Sequence, residues 1–183
     1  MSSAREEILQ ATTALLEKQG SHATGLNEII RESGAPKGSL YYYFPEGKDQ
    51  LVSEAVLAAG QGVAARIRAN LADIGLAAFI LRIAENVESS GFAAGSPLTA
   101  VAMETATTNE RINLACREAY GLLVTAFQDY LQTNGVEPGR ALEQATFITA
   151  AIEGGIILSR TYHTADPLRT VAGQLGLLRF GVF

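Results

Sequence analysis

The chain has one cysteine, no tryptophan, two histidines and five prolines in 183 residues. The single cysteine, Cys116, excludes an intramolecular disulfide and a multi-cysteine zinc site. Two histidines, His22 and His163, are too few for a metal centre of ordinary composition, so neither metal nor cofactor is expected. No run of 18 or more apolar residues is free of charge or glycine. The longest candidate, Ala145 to Leu158, carries Glu153 and is too short to span a bilayer, so no membrane association is expected. The first residues, M-S-S-A-R-E-E, lack the apolar stretch of a secretory signal, and a soluble cytoplasmic protein is expected. Alternating β-branched runs joined by Asn-Gly or Asp-Gly turns are absent. So are a Ser/His/Asp order with support, metal-ligand spacing and a Gly-rich phosphate loop. No enzymatic chemistry is legible.

Positive charge is also scarce. The net charge is −5, and residues 1–50 hold five basic residues against seven acidic ones. A nucleic-acid interface would have to arise from local placement of charge rather than from the bulk balance.

What is present is helical periodicity over nearly the whole length, with 48% hydrophobic residues to build a core. The expected fold class is all-α: three N-terminal helices joined through a long fourth helix to a C-terminal helical domain. Helices are expected at about 4–19, between Thr24 and Gly34, from Pro36 to Phe44, and at 48–71, 75–89, 98–107, 109–133, 138–162 and 166–179. Ile8, Ala11, Leu15 and Leu16 form the inner stripe of the first, and Leu26, Ile29 and Ile30 that of the second. Thr24 is the expected N-cap of the second helix. The domain boundary is expected inside the fourth helix, dividing the chain into residues 1–50 and 51–183.

The stretch Thr24 to Lys48, T-G-L-N-E-I-I-R-E-S-G-A-P-K-G-S-L-Y-Y-Y-F-P-E-G-K, places two short helices about a sharp turn, which is helix-turn-helix spacing. At 100° per residue Pro36, Leu40, Tyr43 and Phe44 fall on one side of the second short helix, and Lys37, Gly38, Tyr41 and Tyr42 on the other. The first set suits a core. The second offers a cation, a gap and two phenols to phosphates and base edges. The alternative is a helical hairpin whose tyrosines cover a neighbouring subunit.

These residues resemble the signature of the TetR family of bacterial transcriptional regulators. The resemblance runs from Thr24 through Phe44 and covers about the first 50 residues. It implies DNA contacts at Thr24, Ala35, Pro36, Lys37, Gly38, Tyr41, Tyr42, Tyr43 and Lys48. Tyr43 stands where the family most often has histidine, and Lys48 lies one residue further from Phe44 than the commonest spacing. That spacing, with G-S-P-L-T-A-V-A-M-E-T at 95–105, resembles the LmrA/YxaF-like branch, which is associated with drug-efflux or resistance genes. The resemblance also implies a homodimer on a palindromic double-stranded operator, a small-molecule ligand that releases it, and the role of a repressor. The competing readings are an all-α small-molecule enzyme and an adaptor that does not bind DNA.

Ala141, Ala145, Ile148, Ile152, Gly155 and Ser159 form a small-residue stripe on the penultimate helix. It is expected to be the dimer face, with an intrachain core as the alternative. Phe79, Ile83, Phe92, Met103, Tyr120, Leu123, Phe127, Phe147 and Tyr162 are candidate ligand-lining residues, each also compatible with core packing. Glu104, a carboxylate in an apolar run, either faces the ligand cavity or is solvated.

Overall fold

The computed structural model describes residues 3–177, and every regular element among them is an α-helix. The helices are α1 (Ala4–Ala23), α2 (Leu26–Ser33), α3 (Lys37–Tyr43), α4 (Lys48–Ser89), α5 (Pro97–Thr105), α6 (Glu110–Thr133), α7 (Pro138–Tyr162) and α8 (Asp166–Leu177). The expected end of the last helix, 178–179, lies outside the described residues. The other boundaries agree with the sequence pattern to within a few residues. The expected helices at 48–71 and 75–89 run on as α4, interrupted where Gly75 adopts φ 73°, ψ 168°. The first helix is likewise interrupted at Gly20, with φ 76° and ψ 179°. A side chain would be strained at either position.

The chain forms two compact units. One is built from the chain up to Gln61 together with Ser96–Tyr120, the other from Gly62–Gly95 together with the chain from Gly121 onward.

In the first unit α1 is the common support, with α2, α3 and α5 all packed on it. A capping box starts it: Ser3 Oγ accepts from the Glu6 amide, and Glu6 Oε2 accepts from the Ser3 amide at 2.9 Å. Ile8, Leu15, Ile29, Ala35, Leu40, Phe44 and Leu51 form the buried cluster, with Leu26, Ile30 and Tyr43 partly buried around it. Fully burying a Leu, Ile or Phe side chain is worth about 1.5–3 kcal/mol. Arg5 lies over the Phe44 ring, 5.8 Å from its centroid, and pairs with Glu54.

In the second unit α7 and α8 pack together. Glu137 begins α7 by accepting from the Gly139 and Arg140 amides, which holds its carboxyl below the usual carboxylate range. The stripe Ala141, Ala145, Ile148, Ile152, Gly155 and Ser159, expected at the dimer interface, is buried within the chain. A Cβ on Gly155 would come 2.9 Å from Leu168 of α8, so the small residues serve an intrachain contact. The opposite stripe of α7 is the exposed one: Phe147 (59% exposed), Ala150, Leu158 and Tyr162. By length and composition α7 is apolar enough to cross a membrane, but one of its faces is packed inside the protein and Glu143, Glu153 and Arg160 interrupt it.

Two glycines of α4 give a matched test. A Cβ at Gly60 would lie 2.7 Å from Ala119 Cβ and 2.9 Å from its Cα, whereas at Gly62 the nearest atom is the tip of Arg66 at 3.8 Å. Gly62→Ala is expected to stabilise by about 0.5–1 kcal/mol through helix propensity. Gly60→Ala gains the same propensity but overpacks a backbone contact, at a cost of about 1–3 kcal/mol. Urea unfolding of the two variants should move in opposite directions.

Candidate nucleic-acid interface

Helix α2 has eight residues and α3 seven, and the turn between them begins at Gly34, which closes α2 in the left-handed conformation at φ 65°. Leu40 of α3 and Phe44, its C-cap, are fully buried, and Tyr43 is half-buried. The Tyr43 ring meets that of Tyr42 edge-on, with centroids 5.0 Å apart and planes at 80°. On the other face Lys37 and Gly38 are exposed, Tyr41 is 49% and Tyr42 78% exposed, and nothing lies within 4 Å of where a Gly38 side chain would begin. An exposed phenol beside a bare stretch of backbone and a lysine can reach phosphates and base edges without rearrangement.

Pro36 departs from the helical-wheel expectation. It is exposed rather than inward, because it is the N-cap residue, outside the helix to which the wheel applies. Thr24 also differs. Its side chain is buried and donates back to the Gly20 carbonyl at 2.6 Å, so it closes α1 instead of capping α2. Gly25 is the N-cap of α2 and offers no side-chain acceptor. The first amides of α2 therefore present a partial positive charge that no side chain caps, a favourable place for a phosphate. The Ala35 side chain is part of the buried cluster. Lys48 Nζ donates to the Ser21 carbonyl at 2.7 Å, and an ammonium retains two further hydrogens for another acceptor. Of the nine residues expected to contact DNA, the fold thus gathers Pro36, Lys37, Gly38, Tyr41 and Tyr42 on one exposed surface. Tyr43 sits at its inner edge, Thr24 and Ala35 lie beneath it, and Lys48 reaches the junction of α1 and α2.

The candidate ligand-lining residues are divided between the two units. Phe79, Ile83, Phe92, Leu123, Phe127, Phe147 and Tyr162 belong to the second unit, and Met103, Glu104 and Tyr120 to the first. Phe79 and Phe127 meet edge-on at 6.4 Å, with Leu123 and Phe127 buried and Ile83 half-buried. Phe92 meets His163 at 5.4 Å, and His163 is the C-cap of α7. Phe147 and Tyr162 are on the exposed face of α7, and Met103 is 77% exposed. The Tyr120 hydroxyl is 3.0 Å from Thr99 Oγ1. Cys116 is buried, and desolvation pushes its thiol up against a smaller opposing effect of the Thr105 hydrogen bond, which suits packing rather than reactivity.

Glu104 is half-buried, and its carboxylate is hydrogen-bonded to backbone of α1. Its Oε2 accepts from the Ser21 amide at 2.6 Å and the His22 amide at 3.0 Å. The sequence marks Glu104 as out of place in T-A-V-A-M-E-T-A, but its partners lie more than 80 residues away.

Comparison with known proteins agrees with this geometry. Residues 8–55 match the family described as bacterial regulatory proteins, tetR family, and residues 74–174 match the one described as transcriptional regulator LmrA/YxaF-like, C-terminal domain. The HTH-type transcriptional regulator LmrA of Bacillus subtilis is 40% identical over 173 residues, 90% of each chain. The uncharacterized HTH-type transcriptional regulator YxaF of the same organism is 37% identical over 179 residues, 95% of this chain and 94% of its own. Among solved structures, a TetR transcriptional regulator from Legionella pneumophila superposes with a TM-score of 0.82 at 21% identity, covering 96% of this chain and 97% of that one.

The three adjacent tyrosines separate by face. Tyr42→Ala is expected to weaken DNA binding about tenfold, the loss of a contact worth roughly 1–1.5 kcal/mol, with a melting temperature close to that of the parent. Tyr43→Ala should lower the melting temperature by several degrees, because a half-buried ring packed on the core cluster is lost, whereas the edge-on ring pair is lost in both variants. Equal melting temperatures would contradict the division.

Proposed function

We propose that the chain, which belongs to the TetR family of bacterial regulatory proteins, is a dimeric repressor that leaves a palindromic operator when a small molecule binds. Its family makes it a DNA-binding transcriptional regulator rather than an enzyme. The observation that carries the finer reading is the exposed face of α3, where Lys37, Gly38, Tyr41 and Tyr42 stand on a fully buried Leu40 and Phe44. A recognition surface on a rigid base is what major-groove reading requires. In this reading Tyr43, Thr24, Ala35 and Lys48 support that surface from its edge and base, and Lys48 and the first amides of α2 are the proposed phosphate contacts.

One such motif reads too few base pairs for genomic specificity, so two copies are needed, about 34–36 Å apart on the duplex. In this reading residues 1–50 bind DNA and residues 51–183 bind ligand and dimerise. The exposed stripe of α7 is the proposed two-fold contact. Glu143, Phe147, Ala150, Gly154, Leu158 and Tyr162 lie within about 60° of one direction at 100° per residue. Small residues at Ala150 and Gly154 would allow two copies of the helix to approach closely. The proposed inducer binds among Phe79, Ile83, Phe92, Leu123 and Phe127, an apolar set suited to a hydrophobic small molecule. The proposed targets are genes of drug efflux or resistance, as the resemblance to the LmrA/YxaF-like branch implies, and the proposed location is the cytoplasm.

Regulation of this kind requires that DNA and inducer prefer different conformations, and their coupling is reciprocal. Gel-shift titration against the DNA flanking its own gene tests the core of the proposal. Binding to an inverted repeat, lost on Lys37→Ala, is the expected result, and absence of any sequence-specific shift would refute it. For the dimer, Phe147→Glu is expected to change the sedimentation of micromolar protein from dimer to monomer and to weaken operator binding at least tenfold. A wild-type monomer at that concentration would refute the proposed interface.

A further inference from the structure

Glu104 sits in the last turn of α5, where a carboxylate faces the negative end of the helix dipole and does α5 no service. Its contacts lie instead on α1. Oε2 accepts two backbone hydrogens, from Ser21 and His22, in the short turn that follows the Gly20 break and leads into α2. Gly20 is shaped for this contact: a Cβ there would overlap the Glu104 carboxylate. From the same turn the Ser21 carbonyl receives Lys48 Nζ at 2.7 Å, so the junction is held on its amides by an anion and on its carbonyl by a cation. Charge-assisted hydrogen bonds of this type are stronger than neutral ones.

The residues just after Glu104 grip the far end of the reading head. Asn109 accepts from the Ile112 amide at 3.1 Å, fixing the start of α6, and donates to Asp49 at 2.8 Å. Arg111 pairs with Glu46, in the turn between α3 and α4, at 2.6 Å. The α5–α6 corner therefore touches the segment entering the helix-turn-helix and the segment leaving it.

Resting on the reading of the chain as an operator-binding protein, we propose that Glu104 is a positioning residue for DNA recognition: by holding the Ser21 and His22 amides it sets the pose of α2 and α3 on α1. The asymmetry between its contacts and those at the other end supports this role. The Arg111–Glu46 and Asn109–Asp49 pairs join exposed side chains, whereas Glu104 holds two backbone amides, one part-buried and one exposed, and backbone displacement carries both short helices with it.

Three measurements on the full-length wild type, Glu104→Ala and Glu104→Gln test the proposal: operator affinity by fluorescence anisotropy on a labelled palindrome from the flanking DNA, melting temperature, and hydrogen exchange of the Ser21 and His22 amides. Glu104→Ala should weaken operator binding about tenfold, within the usual range of coupling between sites, and accelerate exchange at the two amides. Its melting temperature should fall far less than a merely structural loss of that affinity would require. Glu104→Gln keeps an acceptor and should recover most of the affinity. Unchanged affinity in Glu104→Ala would overturn the proposal. Should that variant not fold, wild-type affinity together with faster amide exchange in Glu104→Gln would overturn it as well. If the wild type itself binds no operator, the DNA-binding reading fails separately, and the exchange rates alone decide whether Glu104 holds the junction.

Discussion

Helices of eight and seven residues are too short to persist in water on their own hydrogen bonds. Everything that α2 and α3 present outward therefore depends on what their inner faces touch. Ile29 from α2, Leu40 from α3 and Phe44 at the C-cap of α3 are fully buried beside Ile8 and Leu15 of α1, and each burial offsets part of the entropy of ordering two helices that would otherwise melt. The outward face can then be chosen for chemistry without regard to packing. This freedom explains how three adjacent tyrosines are tolerated. Two are exposed and contribute little to the fold, while the third is anchored at the edge of the cluster. The same dependence explains why α1 is long and supports three other helices.

Charge acts locally against an unfavourable background. Arg31 is paired with Glu28 and Glu32, Arg5 with Glu54 and Arg111 with Glu46. Exposed pairs of this kind are worth at most about 1 kcal/mol, so a cation such as Arg31 can exchange a carboxylate for a phosphate at small cost. Without such an exchange, Lys37 at the exposed start of α3, the uncapped amides of α2 and the remaining hydrogens of Lys48 are open to an anion. With so few positive groups, few counterions are released on binding. Affinity must then rest more on contacts to the bases and less on salt-sensitive attraction to phosphates than in a strongly basic reader.

Most helix boundaries were legible because their signals are local. Gly34 ends α2, Pro138 starts α7, and the wheel separated Leu40 and Phe44 from Tyr41 and Tyr42. Signals failed where a decision depended on a distant partner. Helix α7 carries two stripes of apolar and small residues, and periodicity cannot say which of them meets the rest of the chain. The contact of Gly155 with Leu168 puts the stripe from Ala141 to Ser159 inside the chain, the alternative that periodicity had left open. Thr24 has the right type for an N-cap, but its hydroxyl found a carbonyl behind it sooner than an amide ahead. The wheel misplaced Pro36 because that residue stands just outside the helix. Glu104 was conspicuous by composition, but nothing in its neighbourhood names Ser21 or His22.

The two glycines that interrupt helices show how one local rule can carry different long-range demands. Gly20 and Gly75 adopt nearly the same backbone conformation, φ 76° and ψ 179° against φ 73° and ψ 168°. At Gly75 nothing lies within 4 Å of a notional side chain, so only the backbone torsion calls for glycine, and at φ 73° with ψ 168° that torsion is essentially closed to any other residue. At Gly20 the space a side chain would fill is occupied by a carboxylate from α5. Two constraints, one torsional and one steric, meet on the same atom. The break in α1 thus does more than end a helix. It turns the next two amides outward and clears the space in which a carboxylate can reach them, which makes the start of the helix-turn-helix dependent on a residue more than 80 positions further along the chain.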